Sequence, residues 1–452
     1  MSLDHLHVDS HGIRPAGADR PIGYGIDFGT SNSAIAIAYK DRVEVVPAET
    51  GLPGLTLASV AYLHRDGDRR AGEAAIAEYL VQGHLRHTCL HCPLVRYMAE
   101  TECRQATRNG GCQDTRLVTG VKRDLSRTDF TGTHSWARDF ELPELVSIVF
   151  ERLKRSADEV SGADVRRVVV GHPVVFPGLE LADRSHETAL ERLREGARLA
   201  GFEAVEVFPE PAAAVLGESL PEGYVLSVDF GGGTFDAAVI QVNEGRPKTL
   251  SLVGVDIGGE RFDAALFETA VGPPLGLTEL PNWLYNEMGS RSGVRQLLSD
   301  PGVPKILQRV GGRAAEVAHA ILFEGHAWEF YRAVEDAKIR LSSEETTRLR
   351  FVRKGVRLDV PLLRGQFEAV IREDLVEVER CLLRAVADAG LEPERIDVVL
   401  RTGGSSRLPS FMTRLEHLFP GRIRDRDAFT AVAKGLGARA GELWGQRFPE
   451  GN

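Results

Sequence analysis

One motif occurs twice in this chain, and its repetition limits the fold more than any other feature. The stretch Val225-Leu226-Ser227-Val228-Asp229-Phe230-Gly231-Gly232-Gly233-Thr234-Phe235-Asp236 reads as strand, turn, strand. The apolar run ahead of Asp229 has the length of a buried strand. Its three glycines make a turn where backbone N–H groups can approach a phosphate with no side chain in the way. Alone, the same glycines would equally suit a flexible hairpin. The second copy is Gly23-Tyr24-Gly25-Ile26-Asp27-Phe28-Gly29-Thr30-Ser31-Asn32-Ser33, followed by the apolar stretch Ala34 to Ala38. Both copies run apolar, Asp, Phe, Gly, Thr. Such a repeat predicts a duplicated architecture, with one hairpin per half facing a common cleft and a polyphosphate held between them.

The remaining composition narrows the partners. A chain of 452 residues with 43% hydrophobic residues can bury a large core divided among two to four structural units. Its net charge of -10 and pI near 5.8 argue against nucleic acid or an anionic membrane as main partner, since both require a basic footprint. No apolar run is long enough for a membrane span, and residues 1–20, with His5, His7 and His11, have no apolar signal core. The expectation is a cytoplasmic protein with a loose N-terminal tail.

Further elements follow in order. Val43 to Val46 and Ala58 to Leu63 read as strands, Gly72 to Leu80 as a helix, residues 142–160 as an amphipathic helix, and Arg166 to Phe176 as a central strand bent at Pro173. A helix from His186 to Ala200 ends at Gly201. The run Val205 to Leu216 passes from strand into helix at Glu210-Pro211, where small alanines permit close packing. Val253 to Asp263 is a glycine-rich strand-to-helix turn, residues 271–330 carry little periodic signal, and Ala327 to Leu341 is helical again. Residues 365–389 read as one long amphipathic helix with Cys381 on its core face. Ile396 to Pro409 is strand, glycine turn and helix, so helix N-terminal amides lie beside a turn that a ligand can approach. Ala428 to Ala438 is a final small-residue helix.

Taken together, the Asp27 hairpin, the Glu210-Pro211 helix start, the Asp229 hairpin, the helix from Glu335 to Ser342 and the Gly403 to Pro409 turn resemble the nucleotide-binding domain of the DnaK-type, seventy-kilodalton heat-shock chaperones. That family lies within the actin and sugar-kinase superfamily, and the resemblance extends from about residue 21 to 440, similar to the shorter YegD-like members. It implies an α/β fold of two lobes, each built on a ribonuclease-H-like mixed sheet. Residues 21–215 would form lobe I and 216–427 lobe II, with a small subdomain at about 260–345 and a C-terminal helix, 428–446, returning to lobe I.

The resemblance also implies Mg-ATP, or ADP, between the lobes. Gly29, Thr30, Ser31 and Asn32 would lie at the phosphates from one side and Gly231, Gly232, Gly233 and Thr234 from the other. Asp27 and Asp229 would hold hydrated magnesium, a hard cation that keeps much of its water. Glu210 would place the attacking water, and Lys122 matches the family's catalytic lysine, with Thr234 completing the catalytic set. For the adenosine, Glu335, Lys338 and Ser342 match one wall and Gly403, Gly404, Ser405 and Arg407 the other.

Three departures from the family pattern stand out. Ile339 occupies the place of an arginine that stacks on adenine, which leaves Arg407 to stack alone, and Asn32 stands where an aromatic residue is usual. Pro173 matches the proline that relays nucleotide state, but Leu181 replaces the arginine expected after it, with Arg184 nearby. After residue 440 the chain reads Trp444 to Pro449 in place of an apolar, acid-flanked linker. Within residues 84–115, Cys89, Cys92, Cys103 and Cys112 form a segment that the family pattern does not require. Four soft ligands with one CxxC pair suit Zn2+ or an iron–sulfur cluster, with His87 or His91 able to substitute; reduced thiols or a redox switch fit the same spacing. The expected activity is slow Mg-ATP hydrolysis that signals nucleotide state to a separate protein partner or client. A sugar-kinase-like phosphotransferase, and an actin-like filament or scaffold that binds ATP without significant hydrolysis, are the rival expectations.

Overall fold

The structure, a computed structural model, describes residues 20–49, 54–64, 68–82, 115–128, 131–135, 138–178, 185–216, 220–300, 302–425 and 430–445. Two five-membered runs of strands organise it. In the first half these are β1 (Gly23–Phe28), β2 (Asn32–Ala38), β3 (Val43–Val46), β4 (Arg167–His172) and β5 (Ala204–Pro209), with helices α1 (Leu142–Ser161), α2 (Ser185–Leu199) and α3 (Glu210–Leu216). The second half has β6 (Gly223–Phe230), β7 (Phe235–Asn243), β8 (Arg246–Val255), α4 (Gly259–Leu266), α5 (Ala327–Leu341), α6 (Arg372–Asp388), β9 (Val398–Thr402), α7 (Pro409–Leu418) and β10 (Ile423–Asp425). A last helix, α8, spans Ala431–Trp444.

The two sheets repeat one topology. The first has order β5-β4-β1-β2-β3 and the second β10-β9-β6-β7-β8. In each, three consecutive strands form an antiparallel meander, and the later strands add in parallel beside the first. This is the ribonuclease-H-like mixed sheet, occurring twice, of a two-lobed actin-like α/β fold.

Strand periodicity explains the Asp-Phe pair in each motif. Neighbouring residues on a strand face opposite sides. Phe28 and Phe230 are therefore buried, edge-on to Phe150 at 5.2 Å and to Phe411 at 5.0 Å, while Asp27 and Asp229 face the cleft. The cleft lies at the carboxyl ends of the parallel strands, where open α/β sheets place ligands.

Helix ends follow local chemistry. A reciprocal capping box between Glu141 and Glu144 starts α1, and Gly162 ends it with a φ of 70°. Helices α3 and α8 cross where Gly435 faces the chain of α3; a Cβ there would lie 1.7 Å from the Ala213 carbonyl oxygen. Helix α8 packs on β1, β2 and β4, and α3 touches both sheets.

Two expectations need correction. Residues 365–389 form two helices, Arg364–Val370 and Arg372–Asp388, because the backbone of buried Ile371, at φ -87° and ψ 6°, leaves the helical region between them. The region with little periodic signal holds helices of 6 to 12 residues, Asn282–Glu287, Arg291–Ser299, Val303–Val310 and Gly312–Phe323. Arg291–Ser299 and Val303–Val310 are amphipathic, but each is shorter than the roughly 11 to 18 residues over which a helical period is read, and Gly312–Phe323 is alanine-rich and buried at most positions. Among the described residues no helix is long and apolar enough to cross a membrane.

Candidate nucleotide-binding site

The two hairpins meet across a cavity of about 460 Å3. A Cβ on Gly233 would lie 2.7 Å from Thr30 Oγ1, and one on Gly232 would lie 3.4 Å from Ser31 Oγ, so the turns nearly touch. Gly231 and Gly404, in contrast, have no atom within 4 Å of a built Cβ and open onto the cavity. The second hairpin rests on the Gly258-Gly259 turn: Gly259 and Glu260 amides donate to the Gly231 and Gly232 carbonyls at 3.1 and 2.8 Å. A Cβ on Gly258 would stand 2.5 Å from the Gly233 carbonyl carbon, which explains the glycine there.

Lys122 and Glu210 form the floor. Lys122 lies on the single turn Val121–Asp124, and Glu210 begins α3 just beyond β5. The ammonium donates to Glu210 Oε1 at 2.7 Å and Oε2 at 3.0 Å, and both side chains are under a tenth exposed. Burial disfavours the ammonium, yet the carboxylates of Glu210, Asp27 and Asp229 outweigh it and hold the Lys122 pKa above its ordinary value. Lys122 thus stays charged at neutral pH.

Asp27 and Asp229 show the opposite imbalance. Burial, followed by the Glu210 carboxylate, pushes Asp229 up to about 6, and the same causes raise Asp27 well above the usual carboxylate range. Lys122 opposes both shifts without cancelling them. Two desolvated carboxylates from opposite lobes beside two glycine hairpins are a donor set whose chemistry suits a hard divalent cation that keeps much of its water. Among the described residues no group of three or more His, Cys, Asp or Glu is placed to hold a metal ion.

The upper walls come from α4, α5 and the turn after β9. Glu335 accepts from Arg291 Nη2 at 2.6 Å; burial works against its charge, and Arg291 still holds the carboxyl below its usual range. Lys338 donates to the Gly259 carbonyl at 2.8 Å and pairs with Asp263 at 2.8 Å. Opposite, Ser405 Oγ donates to the Gly231 carbonyl at 2.7 Å, tying the β9 turn to the phosphate hairpin. Gly403 has a φ of 80°, and a Cβ there would meet the Phe230 carbonyl oxygen at 2.3 Å.

Every residue that the sequence places at the nucleotide lines this one cavity: the first hairpin from Asp27 through Gly29, Thr30, Ser31 and Asn32; the second with Asp229 and Gly231 to Thr234; Lys122 and Glu210; and the walls of Glu335, Lys338, Ser342, Gly403, Gly404, Ser405 and Arg407. Ile339 lines it too, 57% exposed. Gly259, Phe262, Ser343 and Leu408 are additions. Asp236, the carboxylate that closes the second motif, lies behind the cavity lining. It pairs in register with Asp229 across the hairpin, accepts from the Thr234 hydroxyl at 2.6 Å, and accepts from the Val174 amide, next to Pro173, at 2.8 Å. Its position two residues beyond the threonine of the motif was the available signal. Cys89, Cys92, Cys103 and Cys112 lie outside the described residues, as do Leu181, Arg184 and residues 446–449. Cys381 is buried in α6, and burial pushes its thiol up to about 12.

Comparison with known proteins agrees with this geometry. A family model described as Hsp70 protein matches residues 23–272 and 326–448. The chain is 27% identical over 442 residues to the chaperone protein DnaK of Thermosipho africanus, covering 94% of this chain and 60% of that one. It is 26% identical to the chaperone protein DnaK of Thermosipho melanesiensis, with the same coverage, and 25% identical to that of Trichormus variabilis, covering 93% and 54%. The chain therefore spans 60% or less of the length of these curated relatives. With its doubled sheet, paired hairpins and matched span, the chain belongs to the Hsp70 family.

Proposed function

We propose that this protein binds Mg-ATP between its lobes, hydrolyses it slowly, and passes the nucleotide state to a protein client or partner as a chaperone-type ATPase. The observation that carries the reading is the buried Lys122–Glu210 pair, 2.7 Å apart, on the floor of a cavity bounded by two glycine hairpins and two carboxylates. Phosphoryl transfer to water asks a protein for positioning and for charge at the transferring group. In this reading Asp27 and Asp229 would hold the magnesium, which would supply positive charge against the phosphates. Glu210 orients water and Lys122 supplies a fixed cation where negative charge develops. Thr234 and the hairpin amides meet the terminal phosphates, and the α5 and β9 walls take the nucleoside.

A phosphotransferase acting on an alcohol would need a carboxylate free to accept the acceptor's proton. Glu210 is already engaged at both oxygens by Lys122, which favours water activation by orientation over such a base.

Lys122→Ala tests the reading. Removing one donor to a developing charge typically costs on the order of 100-fold or more in the chemical step and little in ground-state binding. Single-turnover hydrolysis of Mg-ATP should slow by about that factor, while equilibrium binding of ATP stays near the wild-type value. An unchanged single-turnover rate removes Lys122 from the chemistry.

A further inference from the structure

The turn that carries Lys122 is tied to the opposite lobe by charges of both signs. Its own lobe holds it through Val121 and Leu125, which sink into the first core, and through Arg192 Nη1, which donates to the Leu125 and Arg127 carbonyls at 2.7 Å each. Arg123 and Asp124 reach the other way. Arg123 Nη2 lies 3.2 Å from Asp256 Oδ1, and its Nε lies 3.5 Å from Glu260 Oε2, a buried oxygen with no hydrogen bond of its own. Arg123 Nη1 also donates to the Gly233 carbonyl in the phosphate hairpin at 3.4 Å. Asp124, with a side chain 1% exposed, pairs in the opposite sense with Arg295, which also donates to the Thr119 carbonyl.

Arg295 belongs to the helix Arg291–Ser299, whose Val294 and Leu297 are part of the second core. The same helix carries Arg291, bonded to Glu335 of the cavity wall and stacked over Trp328 at 5.3 Å. Trp328 in turn packs against the first-lobe cluster of Tyr62, Ile76 and Tyr79. One short helix thus touches the proposed nucleoside wall through its first residue, Arg291, and the Lys122 turn through Arg295 one helical turn later.

The geometry points to Arg123 and Asp124 as positioning residues of a crossed interlobe latch, Arg123 to Asp256 and Glu260, and Asp124 to Arg295, which sets Lys122 against the phosphate hairpin and must break before the cleft can open. The inference rests on the nucleotide reading above. Opposite polarities on consecutive residues allow one register only, because a slip that brings Arg123 to Arg295 juxtaposes like charges. When Arg295 leaves, buried Asp124 keeps only the longer Arg127 pair at 3.7 Å in its own lobe, so opening past Asp124 is slow and nucleotide release is slow with it. The Arg123–Asp256 arm is more exposed, with side chains 20% and 32% accessible, and salt screens it more. Asp256 is anchored from the first lobe a second time, by the Gly178 amide at 2.9 Å.

The test follows release of a fluorescent ADP by stopped flow, single-turnover hydrolysis, and the radius of gyration of the nucleotide-free protein by X-ray scattering. Arg295→Gln and Asp256→Asn should each speed ADP release about tenfold, equivalent to about 1.4 kcal/mol of closing energy, and slow single-turnover hydrolysis by a similar factor. Arg295→Lys should restore most of both rates, which a merely structural role for the helix does not require. Should Arg295→Gln fail to fold, wild type and Asp256→Asn decide: wild-type release should accelerate between low and high potassium chloride, and Asp256→Asn should flatten that dependence. Wild-type release rates and scattering in the folded variants, or a flat salt response, overturn the latch. If wild type retains no labelled ADP, the nucleotide reading fails, and the latch then stands or falls on whether Arg295→Gln or Asp256→Asn enlarges the nucleotide-free molecule.

Discussion

Ile339 puts a half-exposed apolar side chain on the cavity wall that the family resemblance assigns to a stacking arginine, with Arg407 lining the same cavity. A cation over an aromatic base contributes about 0.5–2 kcal/mol, so Ile339→Arg should tighten ATP binding by roughly 2- to 30-fold, read by titration calorimetry. Equal affinities would remove base stacking from that wall. A second single-residue consequence concerns pH. Burial chiefly, then the Glu210 and Asp229 carboxylates, push Asp236 up to about 8 against the opposing bonds from Thr234 and Val174. Its folded pKa exceeds the unfolded value of about 4, so the folded state binds the proton more tightly. The stabilisation is complete below that unfolded value and is lost as pH climbs through about 8. The melting temperature of nucleotide-free protein should therefore fall from pH 5 toward pH 8.5 by an amount that Asp236→Asn, uncharged throughout, reduces. Parallel slopes for the two proteins in thermal-shift titrations would show that Asp236 is not the group responsible.

The elements were legible to different depths for physical reasons. The hairpins β1–β2 and β6–β7 declare themselves because the same residues occur twice, an aspartate facing the cleft, a phenylalanine facing the core and glycines at the turn. Long amphipathic helices such as α1 carry their period over several turns, whereas Arg291–Ser299 and Val303–Val310 are amphipathic over fewer than the roughly 11 residues in which a period is read, and Gly312–Phe323 is alanine-rich and buried at most positions. The interlobe ion pairs were hidden for another reason: Arg123 and Asp124 meet partners more than a hundred residues away, and nothing local marks a charged residue as paired. The α3–α8 crossing lies between these extremes. Alanines and glycines announce close packing, and the contact of Gly435 with the Ala213 carbonyl is their consequence. Overpacking a tight contact costs about 1–3 kcal/mol, so Gly435→Ala should lower stability by at least that much, since the added carbon meets backbone that cannot rotate away. Chemical denaturation provides the measurement, and a loss under about 0.5 kcal/mol, typical of surface positions, would mean that the two helices are not in close contact.

Closing the two lobes gathers negative charge at a place where the ligand brings more of it. Asp27, Asp229 and Glu210 converge on the cavity with Lys122 among them, and the protein as a whole carries a charge of -10. Burial first and the Glu210 carboxylate second hold the Asp229 pKa up at about 6, against the opposing Lys122 ammonium. A triphosphate entering this floor alone would face carboxylates on both sides, and only a divalent ion can turn them from repulsion into attraction. Whole-molecule stability should report this coupling, because a ligand that binds only the folded state stabilises by about 2.7 kcal/mol at 100 times its dissociation constant. Mg-ATP at that level should raise the melting temperature by several degrees, and chelating the magnesium at constant ATP should abolish most of the rise. Asp27→Asn combined with Asp229→Asn separates the contributions: it should weaken the response to Mg-ATP while lessening the loss caused by chelation, since the neutral floor no longer repels free ATP. If ATP stabilises wild type equally with and without magnesium, the two carboxylates do not hold the metal and the charge argument for the clamp fails.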